Sequence, residues 1–251
     1  MRRFVPELVA LPLLPFLIVQ GRRTRRVTPR LPEAGGPNEG IAGTSHAGRP
    51  LSLLAVGESP VAGVGVRNHE QAITGQFASA LAERLQRPVA WRACGKNGVT
   101  VREAFKQIFP HIPAAPVDIA LIAFGVNDTT AFRPASAWRR ELGILLDALQ
   151  ERCSPTCMIV SGVPPMAHLP ALPQPLRWVM GLKAQVLDAE VRMLVPAFAH
   201  TLYVPLLLDT HDRSLVAPDG YHPSESGCRA WAALLADACT GLLAAVPAST
   251  A

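Results

Sequence analysis

The sequence predicts an α/β protein, a three-layer α/β/α sandwich built on a five-stranded parallel sheet. Three observations lead there. Strand-like and helix-like segments alternate from residue 51 onward, the pattern of a parallel sheet covered on both faces. Residues 117–124, Val-Asp-Ile-Ala-Leu-Ile-Ala-Phe, form an apolar run broken by one acid, as a strand buried on both sides requires. The turns that follow the early strands carry glycine and polar side chains, where an open α/β sheet places its ligands.

Residues 51–56 read as the first strand, and Ile73, Phe77, Leu81 and Leu85 follow at helical spacing. Residues 89–94 give a second strand, 99–108 a short helix, and 117–124 the central strand. A helix begins near Ser136, a residue type suited to an N-cap, with Leu142, Leu145, Leu146 and Leu149 on one face. A strand over 158–161 leads into a loop holding Pro164, Pro165, Pro170, Pro173 and Pro175. A helix over 176–195, a strand over 201–204 and a helix over 224–245 complete five strand–helix units.

Two segments precede this body, so the expected organisation is 1–30, 31–50 and 51–246. Residues 31–50 hold Gly35, Gly36, Gly40, Gly43 and Gly48 with Pro32 and Pro37 and show no hydrophobic period, which reads as a linker. Residues 1–30 carry seven arginines and one acid, Glu7, a net +6 that accounts for the chain's overall +5. The remaining 17 basic and 18 acidic residues nearly cancel, so the body lacks the basic surface that binding a nucleic-acid backbone needs.

Within that N-terminal segment an apolar stretch, 4–19, is bracketed by Arg2-Arg3 and by Arg22, Arg23, Arg25 and Arg26. Its 16 residues would span about 24 Å as a helix, short of a bilayer core of roughly 30 Å. Pro6, Glu7, Pro12 and Pro15 interrupt it, and no small-residue cleavage site precedes the arginines. The segment is therefore expected to attach the protein to an anionic membrane surface by a short apolar anchor and a polybasic stretch. If it spans, the arginines favour a cytoplasmic body. A disordered tail in solvent is the plainer alternative.

Five cysteines, Cys94, Cys153, Cys157, Cys228 and Cys239, are an odd number and argue against a complete disulfide framework. Cys153 and Cys157 flank a short turn and could pair in an oxidising compartment, a question the spacing leaves open. No second Cys or His pair stands at metal-ligand spacing, and no metal or cofactor is expected. Asp209, His211, Asp212 and Asp219 are too crowded in sequence to converge on an ion.

Chemistry is sought in the loops after the strands. Gly57-Glu58-Ser59-Pro60 follows the first, Gly95-Lys96-Asn97-Gly98 the second and Gly125-Val126-Asn127-Asp128 the third. Ahead of the last helix stands Asp219-Gly220-Tyr221-His222-Pro223. A carboxylate three residues before a histidine can hold the ring's Nδ1 and leave Nε2 to accept a hydroxyl proton. These loops supply the parts of an acyl-transfer site: a nucleophile in Ser59, a base in His222 oriented by Asp219, and backbone and amide donors for an oxyanion. His211, between Asp209 and Asp212, is the nearest rival for the base.

These four loops resemble the ordered blocks of the SGNH hydrolases, or GDSL esterases. Ser59 stands in Gly-Glu-Ser, Gly98 in Lys-Asn-Gly-Val-Thr, Asn127 in Gly-Val-Asn-Asp and His222 in Asp-Gly-Tyr-His-Pro, in the family's order over residues 51–245. The resemblance implies a flavodoxin-like three-layer fold with Ser59, Asp219 and His222 as catalytic residues. It also implies an oxyanion hole made by the backbone N–H groups of Ser59 and Gly98 and the Asn127 side chain. Glu58 replaces the family's usual Asp, and Pro60 replaces the Leu of its name.

The expected activity is serine-dependent hydrolysis of small-molecule or lipid acyl esters, with lysophospholipid esters favoured by the N-terminal segment. Met166 and Leu169, in the proline-rich loop, are candidate walls of the acyl pocket. Two other readings compete. A nucleotide-binding flavodoxin-like module would leave Asp219 and His222 unexplained, and its glycines match no phosphate-binding spacing. A catalytically inactive, membrane-tethered binding domain would leave a complete residue set without use.

Overall fold

The computed structural model describes residues 2–209 and 212–245. In chain order the elements are helix α1 (Val5–Val27), strands β1 (Glu39–Ala42) and β2 (Leu51–Gly57), α2 (Ile73–Leu85), β3 (Val89–Gly95) and α3 (Val101–Gln107). After these come β4 (Ile119–Ala123), α4 (Val126–Thr130), α5 (Ala135–Cys153), β5 (Cys157–Ser161), α6 (Leu176–Leu194), β6 (Thr201–Val204) and α7 (Glu225–Ala245). The strands form one sheet in the order β1-β3-β2-β4-β5-β6. All neighbours are parallel except β1, which pairs antiparallel with β3.

The expected α/β/α architecture is thus present, with one strand more than predicted. That strand lies inside the 31–50 stretch read as a linker. Its four residues alternate exposed and half-buried on the sheet edge, so they carry no continuous apolar run to betray them. The sheet therefore begins at residue 39, ahead of the boundary expected at 51. The segment leading to it is also bound to the body: Ala34 N–H donates to Ala62 O at 3.0 Å and Gly35 N–H to Arg67 O at 3.0 Å.

The central strands follow the period of two. Leu53 and Ala55 of β2, with Ile119 and Leu121 of β4, pack beneath α2 and α7, where Phe77, Leu81, Trp231 and Leu235 are buried. Leu54, Val56, Ala120 and Ile122 face the opposite layer of α3, α5 and α6, against Ala104, Trp138, Leu142 and Leu187. The lone acid of that run, Asp118, lies just before β4 and accepts bonds from Ser52 N and Oγ at 2.7 and 2.8 Å.

Helix ends follow local chemistry. Thr100 caps α3, its side chain accepting from Glu103 N while the Glu103 carboxylate takes Thr100 N–H, a reciprocal capping box. Ser224 Oγ accepts from Gly227 N at 3.1 Å at the start of α7. Ser136 does not cap α5; the helix already begins at Ala135, behind Pro134, whose fixed φ suits a helix entry.

The spacing of Cys153 and Cys157 left a pairing open; they are not bonded, and all five cysteines are free and buried. One expectation is revised. The N-terminal apolar segment is a continuous helix of 23 residues that runs through Pro12 and Pro15. It packs along α6, with Ala10 and Leu17 buried in the core.

Candidate active site

Chain order along the sheet sets the site. The chain runs from β2 to β3 on one side and then crosses to β4 on the other, so the carboxyl end of β2 is a topological switch point, where a crevice opens between diverging loops. Register brings the strand ends level: Gly57 pairs with both Gly95 and Ala123. The loops bearing Ser59, Gly98 and Asn127 therefore leave three adjacent strands at one height.

Gly57 is required there, because a Cβ would lie 2.5 Å from Ala123 O and 2.5 Å from a Val61 methyl carbon. The chain then winds tightly, with Val61 N–H and Ala62 N–H on Glu58 O and Val64 N–H on Ser59 O. Pro60 lacks a backbone donor and sits inside this turn without breaking it. Gly98 has φ +80 with open space about it, a left-handed conformation that favours glycine. Among the described residues no protein group engages the Ser59 or Gly98 backbone N–H, so both remain available as donors.

Asn127 lies in the first turn of α4, and its Nδ2 donates to Val99 O at 3.0 Å. That bond fixes the amide toward the β3 loop and leaves its second hydrogen free. Glu58 holds the helix start itself: its Oε1 accepts Val126 N–H at 2.7 Å and its Oε2 accepts Asn127 N–H at 2.9 Å. With 2% exposure, Glu58 has its pKa pushed up to about 8 by burial, against the lowering effect of these two backbone bonds. The neighbouring Asp128 accepts Val101 N–H at 3.0 Å, and burial pushes its pKa up to about 6.

Before α7, Asp219 Oδ2 lies 2.6 Å from His222 Nδ1, while Oδ1 accepts Tyr221 N–H at 2.9 Å and His222 N–H at 3.0 Å. Burial alone would raise the Asp219 pKa, but the bonds from the His222 ring and the two backbone amides outweigh it and hold it below the usual carboxylate range. The imidazole is thus anchored through Nδ1, with Nε2 directed elsewhere. His211, the rival base, lies outside the described residues.

Ser59 and His222 line one cavity of about 100 Å³. Its walls are mostly apolar and include Leu169, Leu206, Leu208, Val216 and Trp231. Trp231 is held from α7 by donation to Ser161 Oγ at 3.0 Å. Of the two predicted pocket residues, Leu169 lines the cavity and Met166 does not; Met166 is fully buried in the core beneath the loop. The loop is a short turn rather than a strand, so adjacent residues there point to core and cavity without a period that the sequence displays. The 206–209 wall follows β6, a strand end whose position in the sheet is set by tertiary pairing.

A profile of the GDSL-like lipase/acylhydrolase family matches residues 55–230. The chain belongs to this family. It is accordingly a carboxylic ester hydrolase. Comparison with curated proteins gives no match. Among solved structures, it is similar to a family 2 carbohydrate esterase with a carbohydrate-binding domain from Corynascus thermopiles (Myceliophthora fergusii). That likeness has a TM-score of 0.60 and 14% identity, covering 79% of this chain and 68% of the other. A family 3 carbohydrate esterase from Clostridium thermocellum gives a TM-score of 0.59 with 17% identity over 79% of this chain and 100% of its own. The lipase/acylhydrolase from Enterococcus faecalis gives 0.52 with 18% identity, over 76% and 96% respectively.

Proposed function

We propose that this GDSL-family hydrolase cleaves esters of small apolar acyl groups through a Ser59–His222–Asp219 triad. The observation that carries the reading is that Ser59 and His222 line one cavity while Asp219 Oδ2 holds His222 Nδ1 at 2.6 Å. Ser59 Oγ attacks the carbonyl carbon, and its proton passes to His222 Nε2. The oxyanion is held by the Ser59 and Gly98 backbone N–H groups and the free hydrogen of Asn127 Nδ2. Collapse breaks the ester C–O bond, His222 returns the proton to the departing alcohol, and Ser59 carries the acyl group. Water then attacks the acyl carbon, giving up a proton to His222; the bond from that carbon to Ser59 Oγ breaks, His222 returns the proton to Ser59 Oγ, and the acid leaves.

Cavity size bears on the substrate. A volume of about 100 Å³ is below the roughly 150 Å³ that encloses a benzene-sized guest, which supports a short acyl chain. A lysophospholipid substrate, favoured by the membrane-seeking N-terminal segment, would have to run its long chain out of this space. Turnover of p-nitrophenyl esters of increasing acyl length separates the two, with the shortest esters expected to be fastest. A fluorophosphonate probe should label the wild type and not Ser59→Ala; equal labelling of both would overturn the assignment of the nucleophile.

A further inference from the structure

Helix α1 has two unlike faces. Its inner face is fixed to α6 and the residues just before it: Arg3, in the turn leading into α1, donates from Nη2 to Glu190 Oε2 at 2.6 Å, Glu7 pairs with Lys183, and Gln20 bonds Gln174 O at 2.7 Å and Leu176 N at 3.1 Å. Lys183 is 0% exposed and Glu190 1%. If α1 left, then among the described residues Lys183 would keep only the Phe132 ring, at 4.9 Å, and Glu190 only Arg139, at 3.9 Å. A buried charge without its partner is among the most unfavourable features a fold can carry.

The outer face is apolar and bare. Phe4, Leu8, Leu11, Phe16, Ile18 and Val19 are all exposed, an apolar surface of the kind that marks an interaction site. Arg22, Arg23, Arg25 and Arg26, also exposed, continue this surface at the helix's end. With 23 residues, α1 spans about 34 Å at 1.5 Å per residue, long enough to cross a bilayer. Length therefore does not decide between crossing and lying flat; the inner face does, because crossing would surround Arg3, Glu7 and Gln20 with lipid and strip Lys183 of its acid.

We propose that α1 lies along the surface of an anionic bilayer, its outer face in the headgroup and upper acyl layer and its arginines on lipid phosphates. The apolar stripe and the cationic end match the two layers of such a surface. The chain leaving α1 also reaches the catalytic loops. Glu33, a few residues beyond the helix, accepts Asn97 N–H at 2.7 Å beside Gly98. The proposal uses the ester-hydrolase reading only to name those loops.

Sidedness tests it. The Phe4→Cys and Val27→Cys variants place a thiol at either end of α1, while the native cysteines are buried. In sealed right-side-out and inverted membrane vesicles from cells making the full chain, an impermeant maleimide should modify both variants from the same side. Modification from opposite sides means that the helix crosses and overturns the proposal, as would a mature chain that lacks the helix. Purified protein should co-sediment with phosphatidylcholine–phosphatidylglycerol vesicles far more than with phosphatidylcholine alone. Replacing the four arginines by glutamine should lower that partition about 10²–10³-fold; an unchanged partition overturns the proposal too. Hydrolysis of soluble p-nitrophenyl acetate should survive the arginine replacements, and Ser59→Ala should still bind vesicles, so failure of the membrane surface and failure of the catalytic assignment are read separately.

Discussion

The carboxyl group of Glu58 accepts the backbone N–H of Asn127 at 2.9 Å, tying the residue before the proposed nucleophile to the proposed oxyanion donor. A second bond, from Val126 N–H at 2.7 Å, completes the clamp. The Glu58 side chain spans the gap from the β2 turn to α4. The two loops are thereby held as one unit.

Glu58→Ala should leave the buried Val126 amide and the part-buried Asn127 amide without their acceptor, costing about 1–3 kcal/mol for the former and less for the latter, read by denaturant unfolding. The pH dependence has a definite sign. With the folded pKa raised from 4.5 to about 8, the stability linked to Glu58 protonation is complete below about 4.5 and is lost as the pH rises to about 8. Wild type should therefore lose stability relative to Glu58→Gln across that window; parallel unfolding curves would contradict the assignment.

Ser59→Ala and His222→Ala should each lower turnover by about 10⁴-fold or more, and the double variant little further, because the two act as one device. Steady-state rates on a p-nitrophenyl ester check this. Additive losses would separate the two residues mechanistically.

Asp219→Asn should lower turnover by about 10⁴-fold while the fold persists, since the amide no longer enforces the same imidazole tautomer. Asp219 is held below the ordinary carboxylate range. Its stabilising bonds are present above that range and are lost as the pH falls through its folded value. Acid unfolding of Asp219→Asn should accordingly be less steep than that of the wild type.

Asn127→Ala should reduce turnover by about 10²–10³-fold, the usual loss for one oxyanion donor, and should also free Val99 O. Gly98→Ala meets no steric neighbour, so its effect is conformational: about 1–2 kcal/mol for a side chain in the left-handed region. Comparing kcat with unfolding midpoints distinguishes a catalytic loss from a folding loss in both variants.

Much of the site is legible in the chain because its chemistry is local. Asp219 and His222 are three residues apart, and one turn brings their side chains together. The strand runs 51–56 and 117–124 announce themselves by buried apolar continuity, and the glycines after them mark where the backbone turns. The edge strand Glu39–Ala42 and the buried position of Met166 are less legible. An edge pair is stabilised by its neighbour, not its own composition, and an irregular loop has no period to reveal its faces.

By itself the sequence determined the alternation of strand and helix, the order of the four loops, and the residue types able to form and stabilise an acyl-enzyme, because each depends on spacing and chemistry along the chain. Only the tertiary structure decided that Gly57, Gly95 and Ala123 share one level, that Glu58 clamps Asn127, and that α1 rests on Lys183 and Glu190. Those relationships join residues up to 187 positions apart. They arise from burial and pairing across the folded sheet and its helices, which local spacing does not encode.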